Sequence, residues 1–436
     1  MRKRSLFGFD IFIFSASLAL VIIGILFIYS SSVSSSGEIV SNEYIKQIIW
    51  AVLGIALLFV VFVTDYAFFR NISLYLYIGS IILLIFTFLF GKTVNGAKSW
   101  IGFLDFGIQP SEFAKITTII FLSWYYENAG KDIQSLKTFL GGLFITAIPT
   151  VLIFIQPDMG TALVYIPIFL MISLVSGVKK RYVFFILIVI VLVIVFTLFP
   201  SWDKYIYHSN MIFTQLLNNS KYILWLIISL ILALALSITG YIILKKQYFY
   251  WLIYFLSAII LAMICSIIGR KIMQDYQIMR LIVFLDPSID SLGTGWNINQ
   301  SITAVGSGGF LGKGFLNGTQ SHYKFLPQQS TDFIFSIIAE EWGFIGSVAV
   351  LFLFMVIIVR IYLILFAVKD KFSLGICSGI CAMIIFHVFI NIGMAIGIMP
   401  ITGIPLFFLS YGGSSLLTAL IGIGLVLNVY LRRYKY

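Results

Sequence analysis

Residues 11–30 read IFIFSASLALVIIGILFIYS, twenty positions without a single charge. At about 1.5 Å of rise per residue, such a run makes a helix of about 30 Å, the thickness of a bilayer's hydrocarbon core. Comparable apolar periods recur outward from it, at about 46–64, 73–91, 111–127, 138–156, 160–178, 182–200, 222–243, 248–268, 332–365, 373–397 and 411–430. With the first, at 11–31, they predict twelve crossings. Of the 436 residues, 61% are hydrophobic and 10% charged. A soluble domain carries about 25% charged residues, so a water-soluble fold is excluded. Lipid offers the backbone no hydrogen-bond partner, and the alternation expected of a barrel is missing. The fold class is therefore an all-α polytopic membrane protein of about 12 transmembrane helices, with a large polar loop after the ninth.

The start, Met1-Arg2-Lys3-Arg4 before an apolar stretch, has the outline of a signal peptide but lacks a small-residue cleavage site after a short core. It is read as a retained first span. The net charge of +11 raises the question of nucleic acid. Most cations, however, sit in short loops at alternate span ends, among them Arg70, Lys131, Lys137, Lys179, Lys180, Arg181, Lys245, Lys246, Lys369, Lys371, Arg432, Arg433 and Lys435. That is the positive-inside pattern, and it leaves no continuous basic face for a phosphate backbone. A multi-pass protein of the cytoplasmic membrane with both termini cytoplasmic follows as the expectation. Cys265, Cys377 and Cys381 lie in apolar segments and read as small core residues.

The segments 92–110, 269–331 and 398–410 then fall outside. A sixty-residue connection rich in Gly, Asp, Ser, Gln and Asn is rarely mere linkage. The 269–331 loop also carries Arg270, Lys271, Arg280, Lys313 and Lys324 against the positive-inside trend. An anionic ligand is the obvious reason; the alternative is pairing with lipid headgroups or with Asp275, Asp286 and Asp290. Four polar islands stand at span ends. In the first, from Asn95 to Lys115, Glu112 and Lys115 are three residues apart at a helix start and share a face. Ionisable groups at membrane depth are functional by default, although a self-satisfied pair bracing two helices fits as well. In the second, Pro157-Asp158 reads as a helix break with Asp158 capping the next span. The third, from Arg280 to Asp332, joins Asp286 and Asp290, which turn chemistry alone could require. It also holds Trp296 and the glycines at 306, 308, 309, 312 and 314 around Lys313, an arrangement that lets backbone N–H groups approach phosphate. The Lys-Ser/Thr pair of a Walker loop is missing.

The runs Gln109-Pro110-Ser111-Glu112-Phe113-Ala114-Lys115, Gln156-Pro157-Asp158-Met159-Gly160-Thr161, Phe284-Leu285-Asp286-Pro287 with Asp290, Gly318-Thr319-Gln320-Ser321, Phe325-Leu326-Pro327, Thr331-Asp332-Phe333 with Glu340-Glu341, Gly403-Ile404-Pro405-Leu406 and Ser410-Tyr411-Gly412-Gly413-Ser414-Ser415 resemble, in content and order, the SEDS proteins of shape, elongation, division and sporulation. The elongation branch is the nearer one. The resemblance implies a peptidoglycan glycosyltransferase that polymerises lipid II outside the cytoplasmic membrane. It makes residues 1–436 one integral-membrane domain, with 182–268 holding about two spans beyond the family's ten and 269–331 as the catalytic loop. By position Asp290 matches the family's essential loop aspartate, and Trp100, Glu112, Lys115 and Arg280 match residues lining its central cavity. Gln328 and Phe407 depart from the family's usual Glu and Pro.

The implied chemistry needs a base and a charge sink. Asp290 takes the acceptor hydroxyl's proton; Arg280 and Lys313, with Lys115 or Lys98, hold the departing pyrophosphate. Trp100 and Trp296 can stack on sugar faces, though interfacial belt residues look the same. No cofactor is fixed by the motifs; a divalent cation, Mg or Mn, is the one addition the chemistry admits. Implied partners are lipid II, a class B penicillin-binding protein transpeptidase, the elongation machinery (MreB, MreC, MreD) and membrane lipid. Two other readings share the same features: a lipid II flippase or other transporter, and a non-catalytic scaffold. The absence of an inverted repeat and the clustering of polar groups at one membrane face weigh against transport.

Overall fold

The computed structural model describes residues 9–94, 96–103, 106–203, 219–273, 275–290 and 293–433. Arg2, Lys3, Arg4, Asn95 and Lys435 lie outside these. The chain divides into two compact units, one formed by residues 1–178 with 299–436 and the other by 179–298.

In the first unit α1 (Ile11–Ser32), α2 (Glu43–Val63) and α3 (Tyr66–Phe90) are followed by β1 (Lys92–Val94), β2 (Ala97–Phe103) and β3 (Phe106–Ile108). Then come α4 (Pro110–Asn128), α5 (Leu136–Ile155) and α6 (Met159–Ser176). In the second unit α7 (Lys180–Trp202), α8 (Ser220–Leu244) and α9 (Gln247–Ile272) precede α10 (Asp275–Leu285) and a 3-10 turn, Pro287–Asp290. The unit boundary falls inside α11 (Thr294–Ser307). After it the first unit resumes with the short α12 (Thr319–His322), α13 (Ile334–Ala367), α14 (Lys371–Ala395) and α15 (Gly413–Arg432).

Each of the twelve expected spans has a helix of at least 18 residues, and eleven of these are long and apolar enough to cross a membrane. The exception is α4, and the reason is its charge: it carries Glu112, Lys115 and Glu127. Charged residues in such a helix must face protein, and α4 is accordingly buried along one side from Pro110 to Tyr126. It packs on α3, α5, α6 and α14, while α15 lies against α2. The close approach of α15 to α2 depends on Gly424, where a Cβ would stand 2.9 Å from the Leu58 carbonyl oxygen. Small residues at such crossings let backbones meet and gain dispersion contact where lipid supplies no hydrophobic drive.

The second unit is a separate helix cluster. Val189 of α7 packs on Ala258 and Ala262 of α9, and the Thr197 hydroxyl donates to the Ser266 hydroxyl across the same pair at 3.1 Å. Its outward faces are almost wholly apolar, as a lipid-facing bundle requires.

Two of the connecting segments have secondary structure of their own. Segment 92–110 is no plain loop: β1, β2 and β3 form an antiparallel sheet, with Lys92 opposite Trp100 and Ile101 opposite Ile108. Nor is 269–331 a featureless stretch, since α10, the 3-10 turn, α11 and α12 lie within it. Main-chain groups near a membrane surface need partners, and short helices and a small sheet supply them locally.

Candidate functional site

In the second unit the turn after α10 is built around two aspartates. Asp286 Oδ1 accepts from the backbone N–H of Ser288 at 3.0 Å and from its hydroxyl at 2.6 Å. These two hydrogen bonds, the hydroxyl's first, hold the Asp286 carboxyl below the usual carboxylate range. It is thereby a weak base and a turn anchor. Asp290 ends the turn, and its carbonyl accepts from the Gly293 N–H at 3.2 Å. The carboxylate lies directly over Gly293: a Cβ there would stand 2.6 Å from Oδ1 and closer still to Oδ2. Gly295 packs as tightly on the Asp290 carbonyl oxygen, which a Cβ at 295 would approach to 2.6 Å. The two glycines are what allow the chain to fold back beneath this carboxylate. Arg280 is half-buried on α10, and Trp296 is partly exposed on α11.

In the first unit the starts of α4, α6 and α15 meet. Gln109 donates from its backbone N–H to Ser414 Oγ at 2.9 Å and from its side chain to Asp158 Oδ2 at 2.7 Å. Asp158 caps α6 as expected, accepting from the Thr161 N–H at 3.1 Å and hydroxyl at 2.9 Å. One turn deeper, the Lys115 ammonium donates to Glu112 Oε1 at 2.7 Å. Both are buried, Lys115 completely. The ammonium also meets His387 Nε2 of α14 at 3.2 Å. Because His387 Nδ1 lies 2.8 Å from the Pro405 carbonyl oxygen, which can only accept, the proton sits on Nδ1 and Nε2 is left to accept from Lys115. The His387 ring stacks on Phe407 at 3.6 Å, and Lys115 Nζ stands 5.3 Å from the Phe407 ring centre. Glu112 and Lys115 thus do brace two helices, α4 and α14. Among the described residues, Glu112 Oε2 and Ser111 Oγ remain buried without a hydrogen-bond partner.

Lys98 and Trp100 both lie on β2. The Lys98 ammonium donates to the Leu89 carbonyl at 2.9 Å, and the Trp100 ring covers Gly107 of the neighbouring strand.

Lys313 has a different setting from the one the glycine-rich sequence suggests. Its ammonium donates to Glu340 Oε1 and to the Thr319 hydroxyl, at 2.7 and 2.8 Å. Glu340 Oε1 accepts from the N–H groups of Thr319 and Gln320 as well, at 2.8 and 3.0 Å. The neighbouring Glu341 accepts from Ser30 and from the Leu316 N–H. The amides of Lys313 and Gly314 donate to the Glu340 and Glu341 carbonyls at 3.0 and 2.9 Å. The amides of Lys313 and Gly314 are thus taken up by α13, and Gly308 and Gly312 serve close backbone contact. At Gly308 and Gly312 a Cβ would overlap the carbonyls of Ala339 and Glu341.

Of the residues singled out from sequence, Glu112 and Lys115 stand together, Lys98 and Trp100 share a strand, Lys313 joins Glu340, and Arg280 and Asp290 belong to the other unit. His387 and the paired acids Glu340 and Glu341 had no role assigned. A histidine and two adjacent carboxylates inside apolar sequence are themselves the signal that would have found them. Among the described residues no group of three or more His, Cys, Asp or Glu could hold a metal ion.

A buried Glu–Lys–His cluster inside a bundle of long apolar helices marks an integral-membrane protein. The chain belongs to the cell cycle protein family of FtsW, RodA and SpoVE, whose model matches residues 10–235 and 226–435. It is 46% identical over 433 residues to the peptidoglycan glycosyltransferase RodA of Treponema pallidum, covering 99% of this chain and 100% of that one. It is 32% identical over 419 residues to the peptidoglycan glycosyltransferase MrdB of Escherichia coli, covering 95% and 92%. A solved chain from a peptidoglycan synthase complex that coordinates polymerization and crosslinking has the same fold, with a TM-score of 0.67, 24% identity, and 99% and 100% of the two chains covered.

Proposed function

We propose that this chain is a peptidoglycan glycosyltransferase that polymerises lipid II into glycan strands during cell elongation. The observation that carries the reading is identity along the whole chain with the treponemal glycosyltransferase. In the reaction the acceptor's sugar hydroxyl attacks the anomeric carbon of the growing chain. The new C–O bond forms as the bond to the diphosphate breaks, the electron pair leaves on undecaprenyl diphosphate, and configuration inverts.

Asp290 is the base that takes the hydroxyl proton. Asp286, four residues earlier, is unsuited to that role because Ser288 already occupies it. The charge of the leaving diphosphate falls to Arg280, with Lys98 or Lys115, the latter at the cost of its pairing with Glu112. Lys313 can join them only by giving up Glu340, a cost that favours a role in holding the loop. Trp100, whose ring meets Gly107, is the residue that stacks on a sugar. A Mg or Mn ion would arrive with the diphosphate, and titrating either ion into the assay tests it.

The loop faces outward and both termini are cytoplasmic, as the Lys/Arg bias of the short loops requires. A class B penicillin-binding protein transpeptidase is the natural partner, since a matching fold occurs in a synthase complex that joins polymerization to crosslinking. MreB, MreC and MreD complete the elongation machinery around it. Residues 182–268 hold about two spans beyond a ten-helix core.

Purified protein with its transpeptidase partner and lipid II separates the readings. Polymer made in detergent supports the enzyme. Lipid translocation across vesicles without polymer would make the chain a flippase, and neither activity alongside stimulation of another polymerase would make it a scaffold.

A further inference from the structure

The loop between α11 and α12 holds the most exposed large apolar side chains near the start of α13. Phe310 is 66% and Leu311 76% exposed, although the sequence places both in an aqueous loop. Phe310 stacks on Phe344 of α13, ring centres 5.8 Å apart and planes 21° from parallel. Phe344 is also where the outward stripe of α13 begins: Val348, Phe352, Met355 and Val359 continue it, and Phe366 ends it. From Phe344 to Phe366 the helix rises about 33 Å, at about 1.5 Å per residue. That matches a hydrocarbon core of about 30 Å. The residues ahead of it, Ile334 to Glu341, are all buried in protein. The stripe therefore fixes the hydrocarbon edge at Phe344, with Phe310 lying on it.

Irregular backbone survives at such depth only if its polar groups are paired. The carbonyls of Gly308, Gly309 and Phe310 are paired here, the last two through a break in α13. Gly343 adopts φ +62°, interrupting the helix, and the amides of Phe344 and Ile345 turn to the carbonyls of Gly309 and Phe310 at 2.9 and 3.3 Å. The Gly312 N–H closes the turn on the Gly308 carbonyl at 2.9 Å. Immediately behind the tip, the Lys313–Glu340 pair ties the turn to α13.

We propose that residues 308–312 form a re-entrant membrane anchor, with Phe310 and Leu311 seated in the bilayer hydrocarbon beside Phe344. The occupant of this apolar tip is lipid acyl chain, because its surface continues the lipid-facing stripe of a spanning helix. Such an anchor would hold the loop at the leaflet that supplies a lipid-linked substrate, although the placement itself stands apart from the proposed chemistry.

The test is spin labelling of the full chain in liposomes, with the native cysteines replaced. Labels at Leu311→Cys, Phe352→Cys and Lys324→Cys report collision with oxygen, which concentrates in lipid, and with a water-soluble nickel chelate. The expected result is an oxygen-to-chelate ratio at position 311 that exceeds position 324 several-fold and stays below that of position 352, which lies about 12 Å deeper along α13. A ratio like that of position 324 overturns the anchor, and so does protection from both reagents, which would mean that protein covers the tip. Leu311→Trp quenched by bromine-labelled acyl chains, and not by aqueous iodide, gives the same answer without a label.

Discussion

The first turn of α4 and the turn ending at Asp290 treat charge in opposite ways. In α4 the Lys115 ammonium is wholly buried and already engaged by Glu112 and His387. The Asp290 turn lies at the surface of its unit, and the chain makes room beneath its carboxylate by using glycine at 293. A buried ion cluster of the first kind is part of the fold's own polar satisfaction, so removing one member leaves the others stranded. A carboxylate of the second kind, in a turn without buried residues, costs less to replace. The contrast separates residues whose loss should damage stability and activity together from those whose loss should damage activity alone.

The largest effect is expected in α4. Lys115→Met strands the Glu112 carboxylate and should lower stability by about 3–5 kcal/mol, seen as a fall in the thermal unfolding midpoint in detergent. Adding Glu112→Gln to it should recover much of that stability without recovering polymerisation, which would set folding and chemistry further apart. A smaller effect on folding, and a sharper one on rate, is expected at Gly293→Ala. Its Cβ would collide with the Asp290 carboxylate, and a displacement of about 1 Å costs about 10²-fold in turnover. A melting point near wild type with lost turnover would place the damage in the site.

Next is Glu340→Gln, which replaces the carboxylate holding Lys313, Thr319 and Gln320. Loss of charge-assisted hydrogen bonds of this kind costs about 1.5–3 kcal/mol, and proteolysis of the loop around 313–322 should quicken accordingly. Smallest is Asp286→Asn. Because Asp286 titrates below its unfolded value, its contribution to the turn is present at neutral pH and fades as pH falls through the acidic carboxylate range. The variant should keep most of its turnover at neutral pH and lose that acid sensitivity, as followed by amide exchange of residues 286–290.

The helical spans were legible because lipid imposes one demand at every depth: apolar side chains and internally paired backbone. The Asp158 cap was equally legible, since Pro157-Asp158 breaks one helix and starts another within four residues. The sheet at 92–108 was not; three short strands between glycines carry too little alternation to declare themselves. Partnerships across long separations were hidden for another reason. Lys313 finds Glu340 27 residues on, and His387 is oriented by Pro405 and faces Lys115 across 272 positions. Residue type announced that these groups matter, while only the packing of α4, α13 and α14 decides with whom they pair. The glycines at 308 and 312 show how composition misleads: a cluster suited to phosphate is used to bring backbone against backbone.

In the proposed chemistry the carboxylate at 290 transfers a proton and is no part of the frame. Polymer formation from lipid II by purified Asp290→Ala with its transpeptidase partner, followed alongside its thermal unfolding, tests that division at its source. Turnover should fall by about two to four orders of magnitude while the melting point stays where it is in the wild type. Polymerisation at the wild-type rate, or loss of activity that tracks loss of fold, would show that Asp290 is not the base.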